Sequence, residues 1–319
     1  MTSEHALLLA LRALVTTPGA RGLADDAAVL EIGGEALVLT LDTMVEGVHF
    51  LPDDPPQDIA WKLLAVNVSD LSAKGARPLG CLYSHALGET EWDTAFLSGL
   101  AEASDHFAMP LLGGDTVRMP TGAPRSFSLT ALGVGSSGLA VPSRSGAQVA
   151  DRVWVSGTIG DAGLGLAMLT GRIEADEPYA NALTQRYRRP DPEPHLGVAL
   201  APLVHAMMDV SDGLLIDAQR IATASNVAIL LEAGAVPLSP ELRAVAGEDM
   251  AARLTAMTAG DDYELLFTAP DAQSAIIEKI AADLGLVVTP IGWVAAGSGL
   301  TLQDGALPIP LPNHLGYQH

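Results

Sequence analysis

Apolar residues fall in short runs along this chain, and many of the runs stop at an aspartate or a glycine-rich turn. The stretch Leu37-Val-Leu-Thr-Leu-Asp-Thr-Met-Val-Glu-Gly-Val-His49 organises the first half. Its apolar, β-branched opening predicts a buried strand that ends at Asp42, with a loop carrying Glu46, Gly47 and His49 behind it. Upstream, residues 4–15 read as a helix and Pro18, Gly19 and Gly22 as a loop. Residues 27–30 form a short strand, joined to the organising strand by a turn at Gly33 and Gly34. Downstream, Asp58 suits the N-cap of a helix over residues 59–74, stopped by Gly75 and Pro78. Residues 79–87 and 126–134 read as strands, with an amphipathic helix over 92–107 between them.

The second half repeats the alternation. Residues 152–156 predict a strand, and 157–165 lead into a helix that runs through Leu169. The polar stretch 172–193 brings Arg186, Arg188 and Arg189 together, a cluster that suits an acid-paired or solvated surface better than a phosphate. A helix is expected over 195–207, and Asp209-Val-Ser-Asp-Gly213 turns into a helix running to Ala224. Strands over 227–232 and 286–294, a strand entered from Gly260-Asp-Asp-Tyr263, and a helix over 272–284 complete the pattern. This predicts an α/β (α+β) fold in two domains, residues 1–141 with a mixed sheet and 142–319 as a second α/β domain. The boundary is placed in the Gly- and Ser-rich stretch 135–146.

Composition limits what such a fold can do. Of 319 residues 49% are apolar, which argues against wholesale disorder, and 17 basic against 38 acidic residues give a net charge of −21. Nucleic acid and anionic membranes call for basic patches, so neither is an expected partner. A phosphate-bearing substrate would need its repulsion screened, and divalent cations, which prefer carboxylate oxygens, are the natural means. Cys81 is the single cysteine and lies in an apolar run, so neither a disulfide nor a thiolate metal site is expected. No apolar stretch reaches membrane-spanning length and no basic leader opens the chain, which points to a soluble protein of a reducing compartment, the cytoplasm.

No Walker-type G-x-x-x-x-G-K-[ST], G-x-S-x-G or H-E-x-x-H occurs, and the chain has three lysines, Lys62, Lys74 and Lys279. What stands out is a set of aspartates. Asp70 falls within an otherwise apolar helix, three residues after Asn67 and on its face, and burying it requires a cation, either a metal or an arginine. Gly113-Gly-Asp115 lets backbone amides approach a phosphate while the aspartate holds its metal, although such a tripeptide is also common in turns. The helix start after Asp209-Val-Ser-Asp suits an anion, and Asp212 serves equally well as an N-cap. Phosphoryl transfer needs little beyond positioning and charge neutralisation. A phosphate-monoester acceptor, with a second pKa of about 6, is already ionised at neutral pH and needs no general base. The residues alone therefore point to a Mg-dependent nucleotide enzyme without a catalytic side chain.

Taken in order, Asp25-Asp-Ala-Ala-Val-Leu30, Asp42-Thr-Met-Val-Glu-Gly-Val-His-Phe50, Ala65-Val-Asn-Val-Ser-Asp-Leu71, Gly113-Gly-Asp-Thr116, Asp209-Val-Ser-Asp-Gly213 and Asp262-Tyr-Glu-Leu265 resemble the thiamine-monophosphate kinase family. That family shares a superfamily with aminoimidazole ribonucleotide synthetase and selenophosphate synthetase. The resemblance implies ATP-dependent phosphorylation of thiamine monophosphate to thiamine diphosphate in a cytoplasmic homodimer, built through the N-terminal mixed sheet and its helices, with the active site in a cleft between the domains. It implies several Mg²⁺ ions held by Asp26, Asp42, Asp70, Asp115, Asp209 and Asp212 with Thr40. ATP would be contacted by Gly114, Asp115, Arg144 and Ser211, and thiamine monophosphate by His49, Asp261 and the tail, where His314 and Tyr317 are the candidates. A carboxylate and an aromatic face both suit a thiazolium cation. Two positions depart from the family pattern: Leu41 replaces a hydroxyl, and Asp261 is one methylene shorter than the usual glutamate.

The rival readings are a sibling ATP-dependent synthetase and, in another class, a non-catalytic acidic protein that binds divalent cations. Selenophosphate chemistry is disfavoured because Cys81 lies well inside the domain.

Overall fold

A computed structural model describes residues 4–317. After α1 (Glu4–Arg12), strands β1 (Ala28–Ile32) and β2 (Glu35–Val45) form a hairpin through Gly33 and Gly34, both with positive φ. Next come α2 (Pro56–Ala73), β3 (Ala76–Leu87), α3 (Thr90–His106), β4 (Leu111–Arg118) and β5 (Ser126–Gly135). The five strands make one mixed sheet in the order β1-β2-β5-β3-β4, parallel only between β3 and β4. Its inner face packs through Phe127, Leu129 and Ala131 against α2 and α3.

The remaining elements are β6 (Asp151–Ser156), α4 (Asp161–Leu169), α5 (Tyr179–Arg188), α6 (Pro194–Leu200), β7 (Ala206–Val210), α7 (Leu214–Ser225), β8 (Ala228–Glu232), α8 (Pro240–Ala246), α9 (Met250–Thr258), β9 (Glu264–Pro270), α10 (Ser274–Asp283), β10 (Val288–Ala295), β11 (Gly299–Asp304) and β12 (Leu307–Ile309). Seven strands pair in the order β12-β11-β8-β10-β6-β9-β7, again mixed, with β8 and β11 parallel. Among the described residues no helix is long and apolar enough to cross a membrane.

Helix α2 is the element both sheets share. It packs on β2 and β5 of the first sheet and on β7 and β9 of the second. Close approach at its C-terminal end requires glycine: a Cβ on Gly197 of α6 would come within 2.0 Å of the Ser72 carbonyl oxygen. Burial on almost every side explains why its sequence is so uniformly apolar.

Several expectations need correction. β2 runs three residues past Asp42, so that aspartate lies within the strand and not at its end; the polar Asp-Thr pair continues the alternation of faces. The N-cap of α2 is Pro55, and Asp58 sits in the first turn beside Arg189. The helix expected over 195–207 stops at Leu200, because Ala206 and Met207 enter β7 as wholly buried strand residues. Gly113 and Gly114 are strand residues of β4, not a turn. The polar stretch after Arg172 contains α5, whose Arg186 and Arg188, with the adjoining Arg189, are paired with Asp161, Asp54 and Glu102 among others, the acid-paired surface expected.

Candidate active site

Strand β2 presents Ala36, Val38, Thr40, Asp42 and Met44 to the interior and Leu41 to the outside, because side chains alternate faces. Leu41 is 63% exposed there, so its missing hydroxyl faces away from Thr40 and Asp42. Facing β2, α2 presents Asp70; from the second sheet, the end of β7 presents Asp209; and Asp26 comes from the segment just before β1. One carboxylate oxygen from each of Asp26, Asp70 and Asp209 lies within 4.8 Å of the others. The Thr40 hydroxyl donates to Asp70, and the Ser69 hydroxyl donates to Asp209 at 2.7 Å.

The electrostatics of this cluster are uneven. Asp26 accepts from Arg144 Nε at 2.6 Å and pairs with Lys74 at 2.6 Å. Asp42, Asp70 and Asp209 form no ion pair with lysine or arginine among the described residues, and Asp42 Oδ2 is buried without a hydrogen-bond partner. Burial pushes the Asp42 carboxyl up to about 6, with the charge of Asp26 adding to the effect. Burial and then Asp26 push Asp209 up to about 7. Asp70 is raised well above the usual range by burial and by the charges of Asp42, Asp209 and Asp26. Hard carboxylate and hydroxyl oxygens, converging with one orphaned buried acceptor and an excess of negative charge, fit a divalent cation such as Mg²⁺. Among the described residues no arginine pairs with Asp70.

Asp42, Asp70 and Asp209 line a 1190 Å³ cleft between the two sheets, whose walls also carry His49, Ser211, Asp212, Asp261 and Tyr317, whereas Asp26, Thr40 and Arg144 lie behind that lining. His49 Nδ1 accepts from the Val45 amide at 3.0 Å, which places the ring proton on Nε2. Asp212 is not an N-cap; that position is Gly213, and Asp212 pairs with Arg220. The amides of Ser211 and Asp212, expected to meet a nucleotide anion, instead donate to the buried carboxylate of Asp217. The loop at Asp261 is tied to that turn, with its amide donating to the Ser211 carbonyl at 2.8 Å. Tyr317 returns to the cleft through its amide, which donates to the Asp212 carbonyl at 2.9 Å, whereas His314 is exposed and outside the cleft lining. Gln318 and His319 lie outside the described residues.

Gly114 and Asp115 are not brought to the cleft by their own chain. They sit exposed on β4, three strands away from β2, about 14 Å at ordinary strand spacing. Gly114 also has a structural reason to be glycine, since a Cβ there would lie 1.8 Å from the Tyr83 carbonyl oxygen.

Sequence reasoning missed Lys62, Lys74, Ser69, Asp217 and Tyr187. A signal existed for the lysines: of only three in the chain, Lys62 and Lys74 fall in the same apolar helical stretch as Asp70. Both are buried, and Lys62 lines the cleft.

Residues 24–135 match the AIR synthase related protein N-terminal domain family, and residues 148–305 match the corresponding C-terminal domain family. The chain is 37% identical to the thiamine-monophosphate kinase of Salmonella typhimurium over 303 residues, covering 93% of this chain and 91% of that one. Among solved structures it resembles AaThiL complexed with AMPPCP and TMP, with a TM-score of 0.86, 30% identity and coverage of 99% and 97% of the two chains. The thiamine-monophosphate kinase of Stenotrophomonas maltophilia is 39% identical, with a TM-score of 0.79 and coverage of 94% and 95%.

Proposed function

The chain belongs to the thiamine-monophosphate kinase family, and from that premise we propose how its own residues carry out the ATP-dependent phosphorylation of thiamine monophosphate. The observation that carries the reading is the cluster of Asp26, Asp42, Asp70 and Asp209, left with more negative charge than its neighbours neutralise, beside a 1190 Å³ cleft. These carboxylates, with Thr40 and Asp212, would hold Mg²⁺. Mg²⁺ bound there would neutralise the phosphates and favour charge redistribution during in-line transfer.

Arg144 and Ser211 are assigned to ATP, and His49, Asp261 and Tyr317 to thiamine monophosphate. With Nδ1 accepting from the Val45 amide, the ring donor of His49 is Nε2–H, a type of group suited to a phosphate oxygen. Asp261 would set a carboxylate edge, balanced on its other side by Lys62, beside the thiazolium, and Tyr317 an aromatic face. No residue is assigned as general base, because the attacking phosphate oxygen is ionised already. The test is product formation: ATP, Mg²⁺ and thiamine monophosphate should yield thiamine diphosphate and ADP in equal amounts, and free thiamine should yield no phosphorylated product. Nucleotide binding without product would move the chain to a sibling synthetase activity.

The division between the domains is placed at Val141, where Arg21 donates to the Val141 and Pro142 carbonyls at 2.9 and 2.6 Å. The working unit is proposed to be a homodimer. The outer face of the first sheet carries Leu41, 63% exposed, and Leu82, 46% exposed, in one row across β2, β5 and β3. Leu41 and Leu82 flank Thr130 in that row, and exposed leucines grouped on a sheet face are suited to association. Gly114 and Asp115, exposed on β4, are proposed to serve a second copy's nucleotide site and not their own cleft. Leu41→Glu should therefore convert the dimer to monomer in size-exclusion chromatography with light scattering, and turnover should fall with it. A Leu41→Glu protein that remains dimeric would remove this face from the interface.

A further inference from the structure

Lys62 has no part in the assignments above, yet it is buried on the cleft wall and its ammonium joins three separate segments. Nζ lies 3.0 Å from Asp261 Oδ2, 3.2 Å from the His49 carbonyl oxygen and 3.8 Å above the ring centroid of Tyr187. The Tyr187 hydroxyl reaches the same His49 carbonyl at 3.4 Å, and the Tyr263 hydroxyl holds the other carboxylate oxygen of Asp261 at 2.9 Å. His49 belongs to the first domain's loop and Asp261 to a loop of the second, in which Asp261 and Tyr263 both have positive φ. Non-glycine residues in that conformation need outside support to persist.

The position along α2 gives this contact a place in the reaction. Lys62, Val66 and Asp70 recur every four residues and all line the cleft, so they form one stripe along the helix. Eight residues of helix span about 12 Å, which puts Lys62 far from the metal-binding carboxylates and beside His49 and Asp261, the residues assigned to thiamine monophosphate.

We propose that Lys62 is a positioning residue that sets the affinity for thiamine monophosphate, by pinning the His49 loop to Asp261 so that both face the acceptor at a fixed separation. This rests on the kinase reading and extends it. A charged hydrogen bond to a buried-edge carboxylate fixes geometry more firmly than a neutral one, and the ring of Tyr187 limits where the ammonium can sit.

The experiment is steady-state kinetics with each substrate varied in turn. Lys62→Met should raise KM for thiamine monophosphate by about tenfold or more and leave KM for ATP within about twofold. Lys62→Arg, which keeps the charge, should recover most of that loss. Asp261→Asn introduced into Lys62→Met should raise KM for thiamine monophosphate by less than the product of the two single effects, because the contact the two residues share can be lost only once. Lys62→Gln provides the neutral variant if Lys62→Met does not fold. Unchanged KM for the acceptor, equal rises in both KM values, or full additivity with Asp261→Asn would each overturn the proposal. Failure of the kinase reading is distinguishable, since the wild-type protein would then form no thiamine diphosphate at all.

Discussion

Asp70→Asn will lower kcat by about 10²–10³-fold, equivalent to about 3–4 kcal/mol, while making the metal-free protein more stable. The two effects have one origin. Asp70 is held among Asp26, Asp42 and Asp209 with no ion pair to lysine or arginine, and burial with three like charges pushes its carboxyl well above the usual range. Asparagine keeps the shape, and its carbonyl can still accept from Thr40, so the fold loses a repulsive charge and little packing. A gain of about 1 kcal/mol or more is expected, as when other buried charges are neutralised. The same substitution removes one of the carboxylates proposed to hold Mg²⁺, so any rise in melting temperature that Mg²⁺ gives the wild-type protein should shrink. Thermal shift with and without Mg²⁺, beside the product assay, reads both signs. Wild-type turnover in Asp70→Asn would remove Asp70 from the metal site.

Lys74→Met should act in the opposite direction and destabilise the protein by about 3–5 kcal/mol at neutral pH. Lys74 is wholly buried, pairs with Asp25 and with Asp26, and donates to the Met207 carbonyl at 3.1 Å. Methionine fills a similar volume but leaves the Asp25 carboxylate with Arg21 as its remaining cation. The pH dependence has a definite sign. Burial pushes the Asp25 carboxyl up, but the Lys74 charge and hydrogen bond, with Ser143 and Arg21, outweigh it and hold the group well below the usual carboxylate range. A depressed folded-state pKa stabilises above the unfolded value near about 4 and is lost as pH falls through the folded one. The cost of Lys74→Met should therefore be greatest at neutral pH and shrink in acid, measured by urea unfolding across that range. Added Mg²⁺ should recover part of the loss, because a hard cation can take up charge that Lys74 no longer balances. A difference that stays constant with pH would mean that lost packing, not lost charge, sets the cost.

Much of the fold was legible in the chain. The apolar, β-branched run opening at Leu37 marked β2, helical spacing after Asp58 marked α2, and Asp209-Val-Ser-Asp-Gly213 marked a strand turning into a helix; each is a local pattern that burial imposes. The hairpin β11–β12 and helices α8 and α9 were not read, because short, partly exposed elements carry weak periodicity. The family motifs supplied Asp26, Asp42, Asp70 and Asp209, but the strand end first invoked for Asp42 was the wrong reason for its position.

By itself, the sequence determined that aspartates recur beside apolar runs, that burying one such as Asp70 calls for a compensating cation, and which family the motifs belong to. Only the tertiary structure decided which of them meet. Asp26, Asp42, Asp70 and Asp209 come together because one strand face, one helix face and the end of a strand in the other sheet converge. Gly114 and Asp115, no less prominent in sequence, are left about 14 Å across the sheet. Tertiary structure likewise decided that two lysines in an apolar helical stretch are partners of Asp25, Asp26 and Asp261. Ion pairs between residues 49 and 199 positions apart depend on how elements pack, and no local pattern encodes that distance.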